Sequence, residues 1–143
     1  MNELYQLARK FAKKKHGDQM YSDDKPYVFH LDNVAQMCKK FGLPIESQIV
    51  ALLHDILEDT DATFSEIHDL FGGAIAWNVR CLSRSKDTVY FDYIEHFNEP
   101  IFKIAKQVKV CDLLSNLEWS IRNSENYGSL IKRYQKALFI LLT

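Results

Sequence analysis

Four polar side chains interrupt one of the most apolar stretches of the sequence, ALLHDILEDT at residues 51–60. They are His54, Asp55, Glu58 and Asp59. Burying a charged group costs free energy heavily unless the group is paired or binds a metal. On a helix that turns by about 100° per residue, the four positions fall within an arc of roughly 140° and form one polar patch. Adjacent residues point apart on a helix, so His54 and Asp55 can bind one ion only at a helix end. The pattern therefore predicts a metal site that takes further ligands from elsewhere in the chain.

Two further residues have the chemistry and the context of metal ligands. His30 ends the segment KPYVFH, and Asp112 lies within VKVCDLLSNL. Counting back from Asp112 by 4, 7 and 11 residues gives Val108, Ala105 and Ile101, so this carboxylate lies on the apolar face of a helix. A carboxylate that points into a core needs a cation. The predicted metal ligands are His30, His54, Asp55 and Asp112.

The predicted ligand set indicates which metals and which chemistry to expect. Two imidazoles and two carboxylates suit Mn²⁺, Fe²⁺ or Zn²⁺. Such an ion keeps positions for water and a substrate oxygen, and it can polarise a phosphoryl group and lower the pKa of bound water. Glu58 and Asp59, one turn after the ligand pair, are then predicted to orient water or to move protons. His16 is either a further member of the site or the polar end of the first helix, whereas we expect His68 and His96 at the surface or core boundary.

The elements that carry these side chains are predicted to be helical almost throughout. Only five glycines and three prolines punctuate the chain, and the apolar residues between them recur with a helical period. The sequence therefore predicts an all-α fold, a compact helical bundle in which residues 1–143 form one domain with the site between helices. The segment Thr63–Glu66 has the form of a capping box, and the helix that it starts should end at Gly72-Gly73. The other predicted helices cover residues 2–15, 31–41, 45–59, 74–83, 88–97, 99–120 and 127–142, with a loop at 16–30.

Composition and charge limit the class of partner. With 18 basic against 19 acidic side chains, no global field attracts nucleic acid or an anionic membrane, and we expect neither as a partner. The sequence has no long apolar run and no signal-peptide pattern, which favours a cytoplasmic protein. Cys38, Cys81 and Cys111 form no CxxC pair, so we expect small buried thiols in a reducing compartment. Nothing in the sequence indicates the oligomeric state.

These motifs resemble those of the HD-domain phosphohydrolases, in particular the hydrolase domain of the RelA/SpoT enzymes and the small alarmone hydrolases. Four blocks match in order and spacing: LARKFAKKKHGDQ with KPYVFH, ALLHDILEDT, TFSEIHDLFGGAIAWNV and VKVCDLLSNL. The resemblance implies a helical HD bundle that binds Mn²⁺ and removes the 3′-pyrophosphate of (p)ppGpp, giving GTP or GDP. It also implies that Asn116 contacts the nucleotide. The implied ligands are His30, His54, Asp55 and Asp112, and the implied catalytic pair is Glu58 and Asp59.

The substrate side of the sequence departs from these relatives. The alarmone hydrolases have Gln-x-Arg-Lys after the first His, with the Arg on the guanine base, where this chain has Gln19-Met20-Tyr21-Ser22. Their Asp-Arg-Leu-His-Asn becomes Asp112-Leu113-Leu114-Ser115-Asn116, so a basic side chain and an imidazole are lost. We expect Tyr21 to stack on a base, since it lies in the loop beside the predicted metal site.

Charged and aromatic side chains near the site each allow two interpretations. The cations either hold substrate phosphates or are solvated surface charges. The aromatic residues either stack on a base or belong to the core. The cations are Lys25, Arg84, Lys86 and Lys109, and the aromatic residues are Tyr90, Phe91 and Tyr93.

The intact metal motif and the altered substrate side support three hypotheses about function. The first is a metal-dependent nucleotide phosphohydrolase of the (p)ppGpp 3′-pyrophosphohydrolase type. The second changes the substrate to another nucleotide or phosphoester, because Met20, Tyr21 and Ser22 remove the guanine-reading signature. The third is a catalytically idle HD module that binds a nucleotide or a protein partner.

Overall fold

The computed structural model describes the backbone of residues 2–143 and the side chains of residues 2–123 and 128–143. The described residues form nine α-helices, one short 3₁₀-helix at Pro100–Phe102 and a two-stranded antiparallel hairpin. The all-α prediction is confirmed, and no helix in the described part of the chain combines the length and apolarity needed to cross a membrane. The strands are β1 (Met20–Ser22) and β2 (Lys25–Pro26). The helices are α1 (Glu3–His16), α2 (Tyr27–Lys40), α3 (Ile45–Leu53), α4 (Ile56–Asp59), α5 (Phe64–Phe71), α6 (Gly73–Cys81), α7 (Tyr90–His96), α8 (Lys103–Arg122) and α9 (Ser124–Leu142).

The segment at residues 16–30, predicted as a loop, contains regular structure. Strands β1 and β2 pair across a turn at Asp23-Asp24. Aspartate favours turns because its side chain can form a hydrogen bond with the nearby backbone. Pro26, with φ −66° and ψ 158°, then leads into α2 at Tyr27, earlier than the predicted start at residue 31. His30 therefore projects from the first turn of a helix and not from a loop.

The helix predicted over residues 45–59 is broken in the structure. Helix α3 ends at Leu53 and α4 begins at Ile56. Between them, Asp55 has φ −100° and ψ 0°, a conformation that leaves the regular helical ladder. Because of this break, the adjacent side chains of His54 and Asp55 can converge, which a continuous helix would prevent.

Helix α3 runs through the centre of the bundle, as its apolar sequence predicts. Residues 49–53 are almost completely buried, and α3 packs against α1, α2, α6 and α8. Burying one leucine side chain contributes about 1.5–3 kcal/mol to the stability of the fold. The buried residues of α3 therefore fix the position of the helix break that follows them. From the facing helix α8, Ala105, Val108 and Asp112 are buried as predicted. Ile101, however, is 70% exposed, because it lies in the 3₁₀-helix before α8 begins.

The predicted capping box starts α5. The Thr63 hydroxyl accepts a hydrogen bond from the Glu66 N–H at 3.1 Å, and the Glu66 carboxylate accepts one from the Thr63 N–H at 3.0 Å. The helix ends at Gly72, whose φ of 92° favours glycine. This turn directs α6 back onto α5.

The three aromatic side chains of α7 considered above are all at least partly buried. Tyr93 is buried and its hydroxyl donates to the Leu82 carbonyl at 2.5 Å, whereas Tyr90 and Phe91 are half-buried. Of the two histidines expected away from the site, His68 is exposed and His96 is half-buried. The three cysteines are free thiols, and those at positions 38 and 111 are buried.

Candidate metal centre and active site

Three structural elements bring the four predicted ligands to one point. The Nε2 atoms of His30, in α2, and His54, at the end of α3, lie 2.9 and 3.2 Å from Oδ1 of Asp112 in α8. Oδ2 of Asp55 lies 3.0 Å from Nε2 of His54 and 3.9 Å from Nε2 of His30. Ligand atoms of His30, His54 and Asp55 are all within 4.8 Å of one another. Two imidazole nitrogens and two carboxylate oxygens that converge in this way fit a divalent cation.

Neighbouring groups orient the imidazole of each histidine. Nδ1 of His54 lies 2.6 Å from the Ala51 carbonyl, so it donates a hydrogen bond there and turns Nε2 towards the centre, where loss of the Nε2 proton would free a lone pair for a cation. The His30 ring is held by stacking, with Tyr21 parallel to it at a centroid distance of 4.8 Å and Tyr27 edge-on at 5.7 Å. Both rings are thereby fixed with Nε2 towards the two carboxylates.

The two carboxylates each receive a hydrogen bond from a side chain that could tune them. The Tyr27 hydroxyl donates to Asp55, and burial, followed by the Asp55 charge, raises the pKa of Tyr27, so the hydroxyl keeps its proton. Lys109 donates to Oδ2 of Asp112 at 2.8 Å, and Asn116 donates to Oδ1 at 3.2 Å. These contacts place a proton donor behind each predicted carboxylate ligand.

The electrostatics keep both carboxylates ionised, the form that binds metal. Burial alone would raise the pKa of Asp112, but the charges of Lys109 and His54 outweigh it and hold the pKa well below its usual range. Burial likewise opposes the ionisation of Asp55, yet the adjacent His54 charge lowers the pKa of Asp55 to about 2. The Asp112 charge in turn outweighs burial and raises the pKa of Lys109 well above its usual value, so Lys109 stays protonated.

Glu58 and Asp59, the predicted catalytic pair, lie on α4 at the open edge of the cluster. Glu58 accepts a hydrogen bond from the backbone N–H of Arg84. Partial burial raises the pKa of Glu58, and partial burial together with the Asp55 charge raises that of Asp59. A carboxylate with a raised pKa accepts a proton more readily, which suits a general base.

A cavity of about 340 Å³ opens beside the ligand cluster. It is lined by four of the five predicted substrate-binding residues: Tyr21, Arg84, Lys109 and Asn116. The fifth, Lys25, does not line it, because its ammonium lies 5.2 Å from the centre of the Phe29 ring. Tyr21 is already engaged, since its hydroxyl donates to Oδ1 of Asn116 at 2.7 Å.

His16 lies next to this site without joining the ligand cluster. Its ring stacks on Tyr27 at 4.6 Å, and its Nδ1 is 2.8 Å from Oε1 of Gln19. It therefore supports the tyrosine that bonds Asp55.

Several residues of the cavity could not be identified from the sequence. Tyr27, Arg133 and Tyr134 all line it, the last two from α9. The periodicity predicts α9 as a helix but does not say which of its faces meets the site. Tyr27 lies three residues before His30 and shares a helix face with it, but this spacing has meaning only because α2 begins at Tyr27, where the sequence predicts a loop.

Comparison with known sequences assigns the family. The HD domain profile matches residues 8–92, more than half of the 143-residue chain. The chain belongs to the HD-domain family. The family prediction made from the four sequence blocks is confirmed.

Named relatives of this HD domain include both long and short proteins. It is 35% identical over 131 residues to the guanosine-3′,5′-bis(diphosphate) 3′-pyrophosphohydrolase of Aquifex aeolicus, covering 86% of this chain but 19% of that protein. It is 30% identical over 145 residues to the pyrophosphohydrolase MESH1 of Danio rerio, covering 90% of this chain and 80% of that protein. The chain thus spans under a fifth of the long Aquifex relative and most of the short one.

The fold of this HD domain also matches a solved structure. That structure is a metazoan orthologue of SpoT, described as hydrolysing ppGpp and acting in starvation responses. The match has a TM-score of 0.82 at 26% sequence identity and covers 99% of this chain and 86% of that one. The HD bundle predicted from the motifs is confirmed.

Proposed function

We propose that this HD domain is a metal-dependent phosphohydrolase that removes the 3′-pyrophosphate from (p)ppGpp. The observation that carries the proposal is the convergence of two imidazole Nε2 atoms and two carboxylates beside an open cavity edged by Glu58 and Asp59. Relatives named as guanosine-3′,5′-bis(diphosphate) 3′-pyrophosphohydrolases support the choice of substrate.

We propose His30, His54, Asp55 and Asp112 as the ligands of one divalent cation. Their mixed nitrogen and oxygen donors suit Mn²⁺ and also accommodate Fe²⁺ or Zn²⁺. When bound, the cation would supply Lewis-acid polarisation of the phosphoryl group and would favour ionisation of water.

Two carboxylates beside the proposed metal centre would act on the attacking water. Glu58 and Asp59 would orient the attacking water and accept its proton, as their raised pKa values favour. The water oxygen forms a bond to the phosphorus that is attached to the 3′ oxygen. The bond between this phosphorus and the 3′ oxygen breaks. The 3′ oxygen leaves with a proton as a hydroxyl group. Pyrophosphate and GDP, or GTP from pppGpp, are the products.

A second candidate function keeps the chemistry and changes the nucleotide. It is favoured by Tyr21, which stands where the relatives have the Arg that reads guanine and which lies against His30 and Asn116. In this version the centre hydrolyses another nucleotide or phosphoester. The identity of the product separates the two candidates.

The experiment measures pyrophosphate and inorganic phosphate released from ppGpp and a nucleotide panel by the Mn²⁺-loaded protein. A variant with Glu58→Gln and Asp59→Asn should lose activity by about 100-fold or more while keeping its metal. Glu46→Gln, which changes an exposed acid on α3, is the matched control and should keep full activity. Phosphate released from a 5′-nucleotide instead would favour the second candidate. Metal-loaded protein that turns over no nucleotide would contradict both and favour an idle binding module.

Two broader expectations accompany this function. We propose that residues 1–143 act as a single hydrolase domain, supported by the one cluster of buried apolar side chains that joins α1 to α9 in the described chain. We also propose a cytoplasmic location, supported by the three free thiols, which persist in a reducing compartment. Lys25, on strand β2, remains a proposed substrate contact.

A further inference from the structure

Charged side chains of both signs line the cavity. Asp55, Glu58, Asp59 and Asp112 supply the negative charges, and Arg84, Lys109 and Arg133 supply the positive ones. Lys109 is neutralised by Asp112 at 2.8 Å. In the described part of the chain, no carboxylate lies within ion-pair distance of Arg84 or Arg133. The guanidinium groups of these two cavity-lining residues therefore have no ion-pair partner among the described side chains.

Arg133 is held in a geometry that suits a ligand. Its guanidinium carbon lies 3.6 Å from the centre of the Tyr90 ring, and that of Arg84 lies 5.5 Å from the same ring. The Nε atom of Arg133 is buried and finds no hydrogen-bond acceptor among the described residues. The buried Nε is itself closed to a ligand, so an anion in the cavity would have to meet the guanidinium through its Nη atoms. Stacking on Tyr90 fixes the plane of the Arg133 guanidinium. The paired N–H donors at its edge have the geometry that matches two oxygens of a phosphate.

We propose that Arg133 and Arg84, arranged around Tyr90, form a subsite for a second phosphate-bearing group of the substrate, separate from the group that reacts. The inference rests on the proposed phosphohydrolase function and adds to it the two side chains of this chain that would hold the phosphates that do not react. The reacting group would lie at the proposed metal centre beside Lys109. The other, on the 5′ side, would lie on Arg133 and Arg84. The cavity of about 340 Å³ is within the usual size range of small-molecule sites.

The test measures binding of GDP and of guanosine to the Mn²⁺-loaded chain by calorimetry. The two ligands differ only in the 5′-diphosphate, so their affinity ratio reports on the proposed subsite. The wild type should bind GDP more tightly, and Arg133→Gln should weaken GDP binding by about 10- to 100-fold with little change for guanosine. Lys132→Gln, an exposed neighbour on the same helix, is the matched control and should change neither affinity.

Two further variants separate ligand binding from structural support. Arg84→Gln should weaken GDP binding in the same direction. Arg133→Lys, which keeps the charge and loses the fork, should recover part of the affinity that Arg133→Gln loses. The proposal is overturned if the wild type binds GDP no better than guanosine, or if Arg133→Gln, with the wild-type circular dichroism spectrum, weakens both ligands equally. Because GDP binding needs no turnover, this result is independent of whether the protein hydrolyses ppGpp.

Discussion

The hydroxyl of Tyr27 provides a single-atom test of the proposed metal centre. It donates a hydrogen bond to Asp55, one of the four proposed ligands, from the first residue of α2. Tyr27→Phe removes this donor and keeps the ring. The ring contacts to His16 at 4.6 Å and to His30 at 5.7 Å should therefore persist. The substitution thus isolates the effect of the hydrogen bond on the carboxylate.

The size of the effect follows from the charge of the acceptor. A hydrogen bond to a charged group contributes about 1.5–3 kcal/mol, and about 1.4 kcal/mol corresponds to a tenfold change in an equilibrium constant. Asp55 keeps its contact with His54 at 3.0 Å, so the ligand set stays together. We therefore expect Tyr27→Phe to weaken Mn²⁺ binding by about 10- to 100-fold, the range seen when groups that orient metal ligands are removed.

Calorimetric titration of Mn²⁺ into metal-free protein measures this change directly. Tyr5→Phe is the matched control, because Tyr5 is a partly buried tyrosine of α1 that does not line the cavity. The control should bind Mn²⁺ as the wild type does. An unchanged affinity in Tyr27→Phe, or an equal loss in Tyr5→Phe, would refute the argument that the hydroxyl tunes a metal ligand.

Three further predictions concern the fold, its pH dependence and the metal. Leu52→Ala, at a fully buried position of α3, should lower the free energy of unfolding, measured by urea denaturation, by about 2–5 kcal/mol. Leu7→Ala, at a position of α1 that is 40% exposed, should lower it by clearly less. The Thr63 N–H and, to a lesser extent, Lys15 lower the pKa of Glu66 below its ordinary value of 4.5. The ionised Glu66 side chain therefore stabilises the fold fully above pH 4.5, and this stabilisation is lost as the pH falls through the lower pKa of the folded state. Glu66→Gln should make the free energy of unfolding fall less steeply with decreasing pH. An unchanged pH dependence would count against the capping box as the cause. Removal of metal by a chelator should lower the melting temperature, and Mn²⁺ at about 100 times its Kd should restore roughly 2.7 kcal/mol; a melting temperature insensitive to both would argue that the folded site binds no metal.

The proposed site residues could be selected from the sequence because their signals are local. His54, Asp55, Glu58 and Asp59 lie within six residues on an apolar segment, and Asp112 shares a helical period with Ala105 and Val108. Such patterns identify a face and a residue type without knowledge of the tertiary structure. The structure brings the four proposed ligands, selected in this way, into contact.

The geometry of the site could not be predicted, because it depends on backbone breaks and long-range packing. No glycine or proline marks the break at His54-Asp55, and the hairpin strands of three and two residues are too short to show a period. Contacts such as Tyr21 with Asn116 join residues 95 positions apart. The position of Arg133 beside Tyr90 depends likewise on how α9 packs against α7.

The most direct test of the central claim is a titration of Mn²⁺ into metal-free protein in the presence of ppGpp, with the initial rate of pyrophosphate release as the readout. One centre per chain, formed by His30, His54, Asp55 and Asp112, predicts no release without metal, a rise in proportion to added Mn²⁺ and a plateau at about one ion per chain. Release at full rate from metal-free protein, or none once one ion per chain is bound, would contradict the claim.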